Sequence, residues 1–217
     1  MKKAILITAI LSAQLLANSG ICRAQRNGND GPFIYGELGG GWGNFGSYHC
    51  AITGIFAKDN MISIGYTYNV RKTPELPSDF KSAYWSFGGA DPDPQQRLSM
   101  FALMYGKVFY TRSPNVRFVA RGGLSAGNAF YSSDFTSAAV ITTTGLFGDN
   151  HTSNYSWTDQ QKPVIGLLLN PSVELPISRI FGFSLGLYAN INPVASAFTF
   201  DANIILGKLR NKKIAKK

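Results

Sequence analysis

Two groups of residues in this sequence carry side chains that could do chemistry, and the first surrounds His151. The segment DNHTS places Asp149 and Ser153 within two positions of this histidine, which is the residue set of nucleophilic hydrolysis. In such a site the nucleophile and its base must meet at about 2.6 to 3.2 Å, with a third group orienting the base. Neighbours in a loop rarely achieve that geometry, so the sequence predicts no catalytic residue and no enzymatic activity.

Few other residues are candidates for metal or cofactor chemistry. His49 has no acidic residue beside it and is interpreted as a structural or interfacial residue. No cluster of His, Cys and Asp has the spacing of a metal site, and no glycine motif for binding phosphate is present. The sequence therefore predicts neither a metal site nor a cofactor.

The second group consists of charged residues on the polar sides of largely apolar segments. Its members are Glu37, Lys107, Arg117, Arg121, Glu174 and Asp201. If the segments enclose a lumen, these acids and bases face its interior. Unpaired buried charges are costly, so we expect a lumenal ionic network that plugs the interior. The alternative is a narrow, hydrated pore lined by the same groups.

These charges belong to eight segments in which apolar and polar residues alternate, as they do in β-strands. The clearest segment is FGFSLGLYANI, where Phe183, Leu185 and Leu187 alternate with Ser184 and Gly186. The eight segments span residues 33–42, 48–56, 61–71, 98–110, 116–127, 164–175, 181–191 and 196–206. Strand after strand, the pattern requires an apolar medium on one face.

The fourth segment, LSMFALMYGKVFY, is apolar on both faces and is therefore the hardest to orient. Its outward residues are predicted to be those on the side that excludes Ser99 and Lys107. They are Leu98, Met100, Met104, Val108 and Tyr110. This assignment places Lys107 in the interior.

Short turns and long loops alternate between the segments. Segments two and three, four and five, and six and seven are joined by short turns, whereas residues 73–96 and 132–161 form long loops. Barrels of outer membranes have short periplasmic turns and longer external loops. Residues 138–144 are β-prone, so a barrel of ten strands is an alternative to one of eight.

Both long loops carry aromatic residues that could contact a partner. These are Phe80, Tyr84, Trp85 and Phe87 in the first loop and Tyr155 and Trp157 in the second. Exposed apolar clusters often mark interaction surfaces, so the loops are predicted to bind an extracellular ligand. The alternative is that these side chains pack on one another or extend the strands above the membrane.

Composition and volume decide which face of the segments points outward. Charged residues make up 15% of the chain, against about 25% in ordinary soluble domains. Eight strands close around an interior just wide enough for side chains, and four or five large apolar residues from every strand would overfill it. The sequence therefore predicts an all-β fold, an eight-stranded antiparallel up-and-down transmembrane β-barrel with its apolar face toward lipid.

The two ends of the sequence differ from the alternating part. Residues 1–24 have the basic start, apolar run and small residues of a secretory signal peptide. Without them Cys50 is the single cysteine, so no intramolecular disulfide is expected. Residues 210–217 form a basic tail, interpreted as a solvated end or as a contact to anionic headgroups. Basic residues do not recur among stacking aromatics along a strand, so no nucleic-acid partner is expected.

The signal peptide, the eight amphipathic segments and the alternating turns and loops resemble the small outer-membrane β-barrel family, the OmpA/OmpX-type barrels. The resemblance covers residues 32–209 and is one of pattern rather than of a diagnostic motif. In one respect the sequence departs from the family. Such barrels commonly end on an aromatic residue that assists recognition by the assembly machinery, whereas here the last segment continues into GKLRNKKIAKK.

This resemblance implies a location in the outer membrane of a Gram-negative bacterium, with both termini in the periplasm. It implies a structural or surface-interaction role, such as adhesion or ligand binding through the external loops. The implied partners are outer-membrane lipid, lipopolysaccharide and the barrel-assembly machinery during insertion. The alternatives are a narrow porin-like diffusion channel and, third, an enzyme that modifies lipid A, with His151 as its candidate residue.

Overall fold

The computed structural model describes residues 32–56, 59–85, 93–111, 113, 115–144 and 150–209. The predicted signal peptide and basic tail lie outside these ranges and stay predictions. Within the described ranges no helix is long and apolar enough to cross a membrane.

The described residues form nine β-strands. They are β1 (Phe33–Gly43), β2 (Gly46–Ile55), β3 (Asn60–Lys72), β4 (Ser82–Trp85), β5 (Gln95–Tyr110), β6 (Arg117–Thr144), β7 (Asn150–Pro176), β8 (Phe181–Ile191) and β9 (Ala197–Gly207). Apart from β4, the strands form a ring. They pair antiparallel in the order β1-β2-β3-β5-β6-β7-β8-β9, and β9 pairs back to β1. The eight strands thus close into the predicted up-and-down barrel, whose wall has no open edge.

The hairpin of β6 and β7 extends well beyond the barrel wall. β5 pairs with β6 only as far as Phe130, whereas the β6–β7 ladder continues to the pair Thr144↔Asn150, with two register shifts on the way. The short strand β4 adds to the other edge of β7. The β-prone residues 138–144 therefore lengthen β6 and add no strand to the ring, so the ten-strand alternative is wrong.

The outer face of the barrel is apolar, and this confirms the predicted orientation for seven of the eight segments. Leu38, Ile52 and Ile165 are 65%, 68% and 70% exposed, while polar neighbours such as Glu37 and Thr53 are buried. An apolar belt of this size around a whole molecule is unfavourable in water and favourable in hydrocarbon. The fold is a transmembrane β-barrel.

β5 is the exception, because its two faces are the reverse of the prediction. The residues predicted to face lipid are buried or half-buried in the interior, namely Leu98, Met100, Met104, Val108 and Tyr110. Its outer face carries Phe101, Leu103 and Tyr105 instead. Ser99 is accommodated on that face because its hydroxyl lies 2.9 Å from the Tyr66 hydroxyl.

Apolar clusters close the barrel interior at both ends. The cluster at the short-turn end contains Phe33, Tyr35, Ile55, Met61, Val108, Val119, Ile205 and Leu209. The cluster at the long-loop end contains Phe45, Leu98, Met100, Ala129, Val164, Ala195 and Ala197. Buried polar side chains such as Glu37 and Arg121 lie between them, so the polar centre of the lumen has apolar side chains on both sides.

Candidate functional site in the barrel lumen

A buried ion pair between Arg121 on β6 and Glu37 on β1 occupies the centre of the lumen. The guanidinium contacts both carboxylate oxygens, with Nη1 2.5 Å from Oε1 and Nη2 2.6 Å from Oε2. Its Nε donates a hydrogen bond to Oδ1 of Asn170 at 2.7 Å. Because β6 and β1 are not neighbours in the ring, this pair braces the barrel across its lumen. Two-point pairing of this kind offsets part of the cost of burying both charges.

Hydroxyl groups extend this pair to two further strands. Thr53 on β2 donates to Oε1 of Glu37 at 2.5 Å, and its oxygen lies 2.8 Å from the Ser63 hydroxyl on β3. Nη1 of Arg121 also donates to Ser63 at 3.1 Å. The carboxylate and the guanidinium therefore have polar partners on several sides, as buried charges require.

A second buried ion pair, Arg117 with Glu174, lies closer to the short turns. Nε of Arg117 donates to Oε2 of Glu174 at 2.6 Å; Nη2 lies at the same distance but off the hydrogen-bond line. The Tyr35 hydroxyl donates to the other carboxylate oxygen at 2.8 Å. Nη1 of Arg117 donates to the Leu209 carbonyl at 3.1 Å. This pair links β6 and β7 to β1 and to the segment that follows β9.

Asp201 is separate from these pairs and faces His49 instead. Its Oδ1 accepts a hydrogen bond from Thr199 at 2.6 Å, and its Oδ2 lies 3.8 Å from Nδ1 of His49. The imidazole stacks on the Tyr188 ring with a centroid separation of 6.4 Å. The three residues line a cavity of about 20 Å³, which has room for about one water molecule.

The glycines of β1 explain how His49 and Asp201 meet. β2 and β9 flank β1 on its two sides, with His49 paired to Gly39 and Asp201 paired to Gly41. A Cβ atom at Gly41 would lie 2.9 Å from the Ser47 hydroxyl and would also overlap the Asp201 carboxylate. Side chains from β2 and β9 can therefore approach each other only because β1 has none here. The run GGG at residues 39–41 was the sequence signal for this contact.

The structure places five of the six residues of the predicted lumenal network inside the barrel. Arg121 pairs with Glu37, and Arg117 pairs with Glu174, while Asp201 has no arginine or lysine partner among the described residues. The prediction for Lys107 was wrong: it is exposed on the outer face of β5. The error follows from the inverted orientation of that strand. His49 has no acidic neighbour in sequence, but Asp201 on β9 lies beside it in the structure.

Part of the predicted aromatic group of the loops packs together above the barrel. The Phe80 ring lies 6.2 Å from the centroids of both Tyr155 and Trp157. The Tyr155 hydroxyl donates to Asp79 at 2.8 Å. Because Asp79 accepts this bond, the pKa of Tyr155 is raised above its ordinary value.

The other predicted loop residues belong to the first loop. Tyr84 and Trp85 belong to β4 and pair through their backbones with His151 and Asn150. Phe87 lies outside the described residues. The described part of the first loop therefore follows the alternative stated from the sequence: its aromatic residues pack on one another or extend a strand. A ligand for this surface stays a prediction.

Of the three candidate side chains in the segment DNHTS, the structure describes that of Ser153, which is engaged by the backbone. The Ser153 hydroxyl donates to the backbone carbonyl of Tyr155 at 2.9 Å and accepts from its N–H at 3.1 Å. Asp149 lies outside the described residues. The described part of the chain also contains no group of three His, Cys, Asp or Glu residues that could hold a metal ion.

No protein-family model matches the chain, and no curated protein matches it. Among solved structures it is similar to the N-terminal β-barrel domain of OprF from Pseudomonas aeruginosa, with 10% identity, a TM-score of 0.47, and coverage of 81% of this chain and 96% of that domain. It is also similar to Ail, the attachment invasion locus protein of Yersinia pestis, with 11% identity, a TM-score of 0.43, and coverage of 82% and 96%. At such identities and TM-scores the likeness carries no conclusion about function.

Proposed function

We propose that this chain is an outer-membrane β-barrel with a structural and surface-interaction role, in which a closed barrel holds the β6–β7 hairpin outside the bilayer. The observation that carries the proposal is the buried ion pair at the centre of the lumen. Arg121 and Glu37 meet there with side chains 3% and 0% exposed, as expected of a lumen that is filled by side chains. A barrel that offers solutes no passage acts as an anchor for what it presents.

The hairpin is the part of the molecule built for presentation. A tilted strand crosses a membrane in about 9 to 11 residues, whereas β6 and β7 have 28 and 27 residues. β4 and the Phe80, Tyr155 and Trp157 cluster reinforce the protruding part, so that an extracellular ligand would meet a surface of fixed shape there. In this proposal lipopolysaccharide surrounds the hairpin end of the barrel. The barrel-assembly machinery inserts the chain into the membrane.

Both ends of the barrel chain leave on the short-turn side. Tyr35, near the start of β1, pairs with Gly207, the last residue of β9. In the proposed orientation this side faces the periplasm, and the hairpin faces outward. An epitope inserted between β6 and β7 is then accessible to antibody on intact Gram-negative cells, whereas an epitope after residue 209 is accessible only in lysed cells. The opposite pattern would refute the orientation.

Conductance in planar lipid bilayers tests the anchor against the diffusion channel. We expect no steady channels from the wild-type barrel and frequent openings from Arg121→Ala, which removes the central side chain. Arg97→Ala, which changes a half-buried arginine at the long-loop end, serves as the control and should stay closed. Large, steady wild-type channels would overturn the anchor and support the channel.

A further inference from the structure

The two ends of the barrel differ in charge. The long-loop end is balanced, with five acids and five bases among its described residues: Glu75, Asp79, Asp93, Asp134 and Asp159, and Arg71, Lys72, Lys81, Arg97 and Lys162. Some of these are paired locally, since Lys72 lies 3.9 Å from Asp93 and Arg97 lies 3.4 Å from Asp159. The described part of this end therefore carries little net charge.

The short-turn end, by contrast, is basic. Its described basic residues outside the lumen are Lys107, Arg179 and Lys208, and its described acid is Asp59. None of the three bases forms an ion pair with a carboxylate in the described ranges. We call Lys107, Arg179 and Lys208 the basic rim.

Each residue of the basic rim lies at the edge of the apolar belt. Lys107 follows the outward-facing Tyr105, which is 58% exposed, by two positions on β5. Arg179 directly precedes Ile180, and Lys208 follows Leu206, both of which are exposed. Long basic side chains at such a boundary bury their stems along apolar surface and place their charges among the lipid headgroups.

The backbone fixes the rim in place. The N–H of Lys208 donates to the Ile34 carbonyl at 2.8 Å, and the N–H of Leu209 donates to the Arg179 carbonyl at 2.8 Å. Arg179 and Lys208 are thereby held beside each other below β8 and β9. Lys107 stands on β5, on the opposite side of the ring, where its register partners are Asn60 and Ala120. The rim therefore places positive charge on two sides of the barrel base.

We propose that the basic rim binds the phosphate groups of anionic phospholipids, of the phosphatidylglycerol class, in the leaflet around the short-turn end. The ligand class follows from positive charge that has no carboxylate partner at the level of the headgroups, where anionic lipid attracts basic residues. The Lys208 ammonium lies 5.7 Å from the centroid of the Phe33 ring, which leaves its charge unneutralised. The proposal rests on the membrane embedding proposed above and goes beyond it by naming the lipid. Five more basic residues follow in residues 210–217 of the sequence, so their contribution must be measured separately.

Lipid retention by the folded full chain in neutral detergent, followed by native mass spectrometry, tests this proposal. Phosphatidylglycerol is titrated against phosphatidylcholine for the wild type and for three variants. The rim variant carries Lys107→Gln, Arg179→Gln and Lys208→Gln. The matched control carries Lys72→Gln, Lys81→Gln and Lys162→Gln at the other end, and a tail variant replaces the bases of residues 210–217 by Gln. A shift in gel mobility on boiling verifies that each variant is folded.

We expect the wild type to prefer phosphatidylglycerol, in a manner that weakens with salt and is not displaced by inorganic phosphate at constant ionic strength. Each charge contributes about a fivefold preference, so the rim variant should lose about 100-fold and the control almost nothing. Equal retention of the two lipids by the folded wild type would overturn the proposal. So would equal losses in the rim and control variants, or a preference lost entirely in the tail variant and kept in the rim variant. A barrel that fails to fold in any lipid would instead refute the membrane embedding.

Discussion

Arg121 reaches from β6 across the lumen to Glu37 on β1 and contacts both oxygens of its carboxylate. The two residues are 84 positions apart in sequence, and the ring holds them on strands that do not pair. The pair therefore forms only when the whole barrel is closed. Its substitution tests how much this contact contributes to the free energy of unfolding.

Breaking this pair on one side should be costly. Arg121→Met leaves Glu37 as a buried charge without its partner, so we expect the free energy of unfolding to fall by about 3 to 5 kcal/mol. The double variant Arg121→Met/Glu37→Gln should cost less than the sum of the single changes, because no charge is then stranded. Urea-induced unfolding in lipid vesicles measures both values.

A matched comparison is available at the pair Arg97–Asp159, whose side chains are 35% and 53% exposed. Arg97→Gln should change the free energy of unfolding by about 1 kcal/mol or less, because water solvates either partner alone. Equal losses from Arg97→Gln and Arg121→Met would contradict the view that burial sets the cost.

The glycine run of β1 should not tolerate a methyl group. In Gly41→Ala the added Cβ would meet the Phe200 carbonyl at 2.7 Å as well as the Asp201 carboxylate. We expect a loss of about 1 to 3 kcal/mol from overpacking. Gly54→Ala is the control, since a Cβ there meets nothing within 4 Å. Similar stability of the two variants in urea would count against the close approach.

The orientation of β5 can be tested with single cysteines. In a Cys50→Ser background, Leu103→Cys should react with a lipid-soluble maleimide, whereas Met104→Cys should not, because Met104 is 6% exposed and faces the interior. Cys50 itself, which is exposed, provides the positive control in the otherwise unchanged chain. Faster labelling at position 104 than at position 103 would restore the orientation predicted from the sequence.

Packing of the first loop on the hairpin should depend on pH through Tyr155. Its pKa is raised by the hydrogen bond that it donates to Asp79. The bond therefore contributes fully below the unfolded tyrosine's pKa, near 10, and is lost as pH rises through the higher folded value. Trypsin cleavage after Lys81 should accelerate over that range in the wild type. Tyr155→Phe should be cleaved faster already at neutral pH, and the same pH profile in both proteins would exclude this role.

The barrel was predictable from sequence because lipid and lumen demand opposite side chains on alternate positions. In β8 every second residue is apolar and most of these are large, so the facing of Phe183 and Leu185 follows directly. The same logic fails for β5, since Met100 and Phe101 are both apolar and the pattern has no contrast. There the preference is set by volume and by neighbours, such as the Tyr66 hydroxyl that satisfies Ser99.

The lumenal site was predictable in composition but not in pairing. Alternation identifies Glu37, Arg117, Arg121, Glu174 and Asp201 as inward residues, yet it does not say which strands face each other across the ring. Strand stagger decides that Arg121 meets Glu37 and that His49 meets Asp201. The glycines at residues 39–41 could have suggested the second contact, because a strand without side chains lets its two neighbours approach.

Closure of the ring joins the first strand to the last, since β1 pairs with β9 from Tyr35↔Gly207 onward, and Arg117 holds the Leu209 carbonyl just beyond. Until that seam forms, both border strands carry unpaired amides and carbonyls that hydrocarbon does not solvate. A partly assembled sheet with open edges is consequently unstable in the hydrocarbon core of the bilayer. Insertion into the membrane and pairing of β9 with β1 must therefore proceed together, and β9 is the strand that completes the barrel.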